Sequence, residues 1–514
     1  MIAQHTCKLA LIAGIGGGLL GGSTLRAQTA VAPNPAQTSA TQAQTQPQTQ
    51  TQGQPWKQIP IPSLPAFHPQ QPKRIQLANG AIVFLQEDHE LPFINGFVEM
   101  RGGGRDVPDA KAGLIDLYGE AWRTSGTAAH TGDQLDDILE AKAAKVETGG
   151  DIDSTQVSWS CFKGDFDQVF GIATDLLEHP KFNDGKLMLA KQQEATSIVR
   201  RNDDPGGIAA REAAKLVYGA KSPYGRVPEI ATVMSVTTAD LQQLHDRTVM
   251  PNNMIIGVEG DFDATAMEAK LRQAFGGLPK GSPLAPWHET FTGPQPGVYS
   301  VDKADVNQSN IWLVGLGTER NNPDYYALSV MNQVFSGGFG SRLFQSVRTK
   351  LGLAYSVDGA YGASYDHPGM FYVVAATKSQ STVEATNAML AEIRDLETQP
   401  FTEPELRSAK DQVLNSFVFH YDSKEKILAE RARLEFYGYP ADFLEKYRDA
   451  VEKVSTADLE RVAKKYIDPA KLAILVVGNQ AQFPTPLSTL GPVHPIDITI
   501  PMPRGMQAGG PGAN

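Results

Sequence analysis

VTTADLQQLHDRTVMPNNMIIGVEG, residues 236–260, and VSTADLERVAKKYIDPAKLAILVVG, residues 454–478, align without a gap. Each reads as a Ser/Thr-capped helix, a proline turn and an apolar strand closing on glycine. Pro251 answers Pro469, and Gly260 answers Gly478. A second pair lies upstream: LLEHPKFNDGKLMLAKQQ (residues 176–193) matches LETQPFTEPELRSAKDQ (residues 396–412) with one residue of slack. The copies are 218–220 residues apart. That spacing is too long for a solenoid repeat of 20–50 residues and points to duplication of a whole domain of about 200 residues.

Each half opens on strands. RIQLANGAIVFLQED reads as a hairpin with Asn79-Gly80 at its turn, and INGFVEM follows. The second half opens with GVYSVDK and NIWLVGLGT. Helices come next, then strands such as TQVSWSCF and GMFYVVAAT, then further helices before the closing strand. This order predicts an α+β fold of two homologous domains, each a largely antiparallel sheet with helices packed on one face. The domains are placed at residues 72–285 and 295–482, with a short linker at 286–294 inside a Pro/Gly-rich stretch.

The bulk numbers agree with a large globular body. The chain has 514 residues, 41% apolar, with a net charge of −11 and no basic cluster. Nucleic acid and anionic membrane surfaces are therefore poor candidates as partners. Residues 1–27 read as an export signal, with Lys8, the apolar run LALIAGIGGGLLGG and LRA before Gln28. That run is short and glycine-rich for a spanning helix, so no stable membrane insertion is expected after cleavage. Residues 28–71 are Gln/Thr/Pro-rich and predict a disordered linker. Residues 483–514 read as an extended tail. Cys7 would leave with the signal, and Cys161 then remains as a lone thiol on an alternating strand. An exported chain without disulfides fits a bacterial periplasm, and the expected location is periplasmic or secreted.

GLIDLYGEAWRTSGT, residues 113–127, carries apolar residues at helical spacing and ends on a Gly-Thr stop. Together with LANGAIVFLQEDHELP, GGGRDVPDAKAGL, GGFGSRLFQSVRTKLGLAYSV (residues 337–357) and RLEFYGYP, it resembles the M16 metallopeptidases. These include pitrilysin-like enzymes, the mitochondrial processing peptidase and the core proteins of the respiratory bc1 complex. The resemblance covers nearly all of residues 72–482 and implies a LuxS/MPP-like fold forming half of a clam-shell. In active members this helix carries His-x-x-Glu-His. Its two histidines bind zinc, the glutamate acts as general base, and a distal glutamate completes the site. Here Asp116 stands at the first histidine position, Gly119 at the catalytic glutamate and Glu120 at the second histidine. Ser197 falls near the distal ligand, with Glu194 one helical turn away. None of the ten histidines lies in an intact motif. DLLEH, residues 175–179, is a helix end by its place in the repeat, and His89 reads as a surface residue.

The resemblance also marks Arg348 and Tyr355. In the family such a pair reaches across from a C-terminal domain and holds the substrate carbonyl as charge develops. The glycine-rich loop with Gly337, Gly338 and Gly340 is either a lining of the substrate chamber or a helix-flanking turn. The expectation is a non-catalytic, Arg/Tyr-supplying subunit of a heterodimeric zinc peptidase acting on peptides. Such a chain binds no cofactor itself, and zinc is expected in a partner with intact His-x-x-Glu-His. The alternative is a structural or peptide-binding scaffold like the bc1 core proteins. A third reading is an active enzyme with oxygen ligands from Asp116, Glu120 and Glu194.

Overall fold

The computed structural model describes residues 70–502, apart from 283, 285, 286, 418 and 420. The expected export signal, nearly all of the expected linker and the end of the tail (503–514) lie outside the described residues. The first half holds strands β1 (Lys73–Gln76), β2 (Ile82–Glu87), β3 (Phe93–Arg101), β4 (Lys145–Gly150), β5 (Ser154–Phe162) and β6 (Met254–Gly260). Its helices are α1 (Leu114–Ser125), α2 (Gly132–Glu140), α3 (Phe166–Glu178), α4 (Asp184–Arg200), α5 (Pro205–Tyr218), α6 (Ile230–Met234), α7 (Thr238–Thr248) and α8 (Ala264–Phe275). The second half holds β7 (Gly297–Asp302), β8 (Gln308–Leu316), β9 (Thr318–Glu319), β10 (Ala354–Tyr361), β11 (Ala363–Ser364), β12 (Met370–Lys378), β13 (Ala473–Gly478) and β14 (Val493–Pro495). Its helices are α9 (Tyr325–Ser336), α10 (Thr382–Thr398), α11 (Glu403–Phe417), α12 (Lys424–Tyr437), α13 (Phe443–Lys453) and α14 (Thr456–Tyr466).

The duplicated phrases fold identically. Thr237 and Asp240 form a capping box at the start of α7, and Ser455 and Asp458 form the same box at α14. In each box the hydroxyl accepts an orphan backbone N–H and the carboxylate accepts the cap's own N–H. Pro251 and Pro469 each open a short 3-10 turn. The strands that follow, β6 and β13, are buried along their whole length, as their unbroken apolar runs require. Each lies parallel to the opening long strand of its half, β2 or β7, and antiparallel to the next, β3 or β8. Two six-stranded mixed sheets result, ordered β1-β2-β6-β3-β5-β4 and β10-β12-β8-β13-β7-β14. The Asn79-Gly80 turn joins β1 to β2, with Gly80 at φ 101°, a conformation glycine adopts freely.

Each sheet packs one face against its own half's helices. In the first half Val83, Val98, Val157 and Val258 meet Leu117, Trp122, Leu176 and Leu241. In the second half Ile311, Leu313, Val373 and Val476 meet Leu328, Met389, Ile393 and Val462. The opposite face of each sheet is covered as well, by a helix of the other half. Helix α5 crosses over and lays Ile208, Ala209, Ala213 and Val217 on Val301, Val314, Leu475 and Val477 of the second sheet. Helix α12 returns the exchange, setting Leu428, Ala432 and Phe436 on Phe84 and Ile255 of the first. The halves are thus interlocked, because each completes the other's core.

Polar contacts tighten this seam. Arg105 bridges Asp153 at 3.2 Å and Asp366 at 2.6 Å. Tyr224 and Tyr437 both donate to Asp153, and Tyr224 stacks on His367 at 3.9 Å. Trp287 and Phe291, from the connecting stretch, pack on the same cluster. Beyond residue 482 the chain does not trail away: β14 adds a parallel edge strand to β7, and the Ile498 carbonyl accepts a hydrogen bond from Asn202.

Candidate functional site

Helix α1 starts on Gly113 at φ 95° and stops on Gly126 at φ 80°. A Cβ at position 113 would meet Val233 at 2.9 Å and Pro228 at 3.2 Å, so this entry is built for glycine. The inner face of α1 is a sealed core. Trp122 donates to the Leu176 carbonyl, and Tyr118 pairs with His245 Nδ1 at 2.9 Å. His245 Nε2 lies 2.9 Å from the Leu177 carbonyl, which fixes that nitrogen as the N–H and makes the Tyr118 hydroxyl the donor to Nδ1. Burial holds His245 down to about 4, so the ring is neutral and structural.

Asp116 and Glu120 are exposed at i, i+4 on the outer face. Gly119, between them, presses directly on the β4 backbone. A Cβ there would stand 2.9 Å from the Gly150 nitrogen and 3.2 Å from Gly149. The Thr148 hydroxyl donates to the Gly119 carbonyl at 2.6 Å, closing the contact. The position aligned with the general base therefore has no room for a side chain. Glu194, on α4, is partly buried, and Ser197 is exposed further along the same helix. Among the described residues no group of three His, Cys, Asp or Glu is placed to hold a metal ion. Two carboxylates, a glycine and a serine do not fit the zinc that the family's motif would hold.

The Asp116 carboxylate reaches water but stands in a recess. Partial burial, then the nearby Glu194 and Asp151 charges, push it up to about 6, against the pull of its own backbone. Burial also raises Glu194. Beside Asp116 lies a cavity of about 190 Å³, walled by Val107, Ile115, Ile152 and Pro228, with Asp151 and Arg226 at its border. Nothing in the periodicity of α1 announces this cavity, because its far wall comes from residues 104–107 and 223–228.

In the second half a π-helical turn, Phe344–Lys350, carries Arg348. Its guanidinium lies 4.7 Å from the Phe344 ring centroid and 4.9 Å from that of Tyr355. Tyr355 sits in a bulge of β10, between the Ala354–Thr377 and Ser356–Ala376 pairs, and is 83% exposed. Phe339 is 74% exposed and meets Phe344 edge-on at 4.9 Å. The structure thus brings Arg348 and Tyr355 together and adds two rings that the sequence reading missed. Phe344 was legible as the i−4 neighbour of Arg348; Phe339 was not. Of the loop glycines, Gly338 stands at φ 85°, and a Cβ at Gly337 would meet the Gln333 carbonyl oxygen at 2.6 Å. Gly337 ends α9, and Gly340 faces open space.

The decoys resolve simply. His179 ends α3 and pairs with Asp175, while His89 pairs with Asp261 at the surface. Cys161 is buried on β5, and burial pushes its thiol up to about 11, as suits an inert side chain.

The α1 face thus presents Asp116, Gly119 and Glu120 at the positions where the resemblance would set its metal motif. Residues 235–413 match the family model described as "Peptidase M16 inactive domain". The non-peptidase homolog YmxG of Helicobacter pylori is 22% identical over 77% of this chain and 92% of its own length. The uncharacterized zinc protease YmxG of Bacillus subtilis is 23% identical over 76% of this chain and 93% of its own. Among solved structures, a peptidase M16 inactive domain from Pseudomonas fluorescens superposes with a TM-score of 0.71. It is 23% identical and covers 80% of this chain and 98% of that one. A Helicobacter pylori protease gives 0.70 at 18% identity, over 80% of this chain and all of that one. Residues 235–413 thus match an M16 inactive-domain model, and over 80% of the chain the fold is that of these two solved structures.

Proposed function

We propose that this chain is the Arg/Tyr-supplying subunit of a two-chain M16 zinc peptidase that processes or degrades peptides. In this reading it is exported to the periplasm, and its partner carries an intact His-x-x-Glu-His and the zinc. The observation that carries the reading is the Arg348–Tyr355 stack. A cation and a phenol are held together at an exposed surface, and among the described residues Arg348 has no acidic partner. A fixed guanidinium and a phenol donor suit a carbonyl oxygen that gains charge in a transition state.

The test is reconstitution with a metal-bearing partner chain, followed by peptide hydrolysis. Arg348→Ala is expected to lower kcat about 100-fold, the usual effect of removing one oxyanion donor. Elemental mass spectrometry of the chain alone is expected to find no zinc. Unchanged hydrolysis with Arg348→Ala would remove the catalytic role. The tight Gly119–Gly150 contact then favours the second reading, a scaffold or peptide-binding protein whose α1 is purely structural.

A further inference from the structure

Residues 304–310, which lead from β7 into β8, meet the start of α5 around an open cavity of about 670 Å³. Its lining holds four carboxamide residues, Asn307, Gln308, Asn310 and Gln482. Gln308 and Asn310 lie two apart on β8 and so share one face. It is the face on which α5 rests further along, at Val314. Among the described residues none of these four side chains makes a hydrogen bond within the chain. The two carboxylates of the lining, by contrast, are committed. Asp204 caps α5, accepting from the Gly206 N–H at 3.2 Å and the Gly207 N–H at 2.8 Å. Asp305 pairs with Lys303 at 2.7 Å.

This lining disfavours several occupants. It has no Lys, Arg or His to receive an anion, and its capped helix start has no free N–H in the first turn at Gly206 or Gly207. It has no aromatic ring on which a sugar face could lie. What it offers is a set of neutral groups that each donate and accept side by side. A polypeptide residue offers the matching pair, one N–H and one C=O. The same chain shows how the two fit. Asn332 stands against the edge strand β10: the Tyr361 N–H donates to its Oδ1 at 2.8 Å, and its Nδ2 donates to the Tyr361 carbonyl at 3.1 Å. One carboxamide there does the work of a neighbouring strand. The size also fits, because ligand clefts run from about 300 to 1,000 Å³.

We infer that this cavity binds an extended polypeptide segment by its main chain, with the carboxamides of Asn307, Gln308, Asn310 and Gln482 as the recognising groups. Such binding has little sequence preference, since every residue but proline carries the same two main-chain groups. The cavity shares no residue with the Arg348–Tyr355 pair. The inference therefore concerns the lone chain and stands independently of any two-subunit activity.

The experiment uses the full chain and a fluorescent-labelled, end-blocked octapeptide of alternating alanine and serine, read by anisotropy. A second peptide of the same sequence is N-methylated at alternate residues, which removes main-chain donors and keeps every side chain. The expected result is about 10-fold tighter binding of the first, the worth of one or two net hydrogen bonds. Asn307→Ala combined with Gln482→Ala changes two exposed residues outside the sheets and is expected to erase that preference. Gln308→Ala, checked for native circular dichroism, should weaken it too. Equal binding of the two peptides overturns the inference, as does a preference that survives all of these substitutions. A preference lost in Arg348→Ala and kept in the carboxamide variants would place the peptide at the other site and overturn it as well. Displacement of the peptide by maltoheptaose would make the ligand a polyol, with the same consequence. So would the absence of saturable binding up to about 1 mM peptide.

Discussion

The outer face of α1 lies between β3 and β4 of the first half and the π-helical turn between β8 and β10 of the second, yet they present opposite chemistry. The α1 face offers carboxylates, Asp116 and Glu120, around a glycine pressed onto β4. The second-half turn offers a cation clamped between Phe344 and Tyr355. The difference teaches that duplication preserves the sheet and its helices while each copy's exposed surface changes freely. The closing strands match between copies because their side chains are buried, and the capping boxes because each satisfies two backbone N–H groups. Surface positions without such a task carry no such constraint, so one copy holds unpaired acids and the other an unpaired arginine.

The comparison can be broken at three places, with effects of decreasing size. The largest tests the claim that each half completes the other. Leu428→Ala removes a buried side chain of α12 from the first sheet, and Ile208→Ala does the same for α5 on the second. Each is expected to cost about 3 kcal/mol. A single cooperative unfolding transition in denaturant should persist, shifted to lower midpoint. Two separated transitions in either variant would show that the halves fold independently.

Next is Gly119→Glu, which restores the residue type of the family's general base. The new Cβ would collide with backbone rather than with a flexible side chain, so a loss of about 2 kcal/mol is expected. The variant should also remain without hydrolytic activity. Wild-type stability measured by urea titration would mean that α1 lifts off β4 easily.

The smallest effect is electrostatic. The folded protein holds Asp116 up to about 6, above the ordinary carboxylate value of 3.8. Folding therefore favours the protonated form, and this group's contribution is full below about pH 4 and lost as pH rises through 6. Asp116→Asn should raise Tm at pH 8 and leave it unchanged at pH 4. The gain is about 1 kcal/mol at most, because water screens an exposed carboxylate. The groups facing it, Glu194 on α4 and Asp151 after β4, set the direction. A variant less stable than wild type at pH 8 would mean that Asp116 makes a favourable contact.

Much of this was legible in sequence for a local reason. Caps, proline turns and buried strands are written in windows of a few residues, so the VTTAD and VSTAD phrases gave up their structure directly. The absence of histidine from DLYGE likewise needs no coordinates, because residue identity is read directly from the chain. Tertiary structure alone decided three matters. An apolar stripe on α5 or α12 announces that it will be buried, but not beneath which of two similar sheets, since both offer an apolar face. The cavity beside Asp116 exists only because segments more than 100 residues apart meet there. The Arg348 clamp depends on a β-bulge that turns Tyr355 outward, a feature of strand register rather than composition. Local patterns fix which elements form, and long-range surface matching fixes what they enclose.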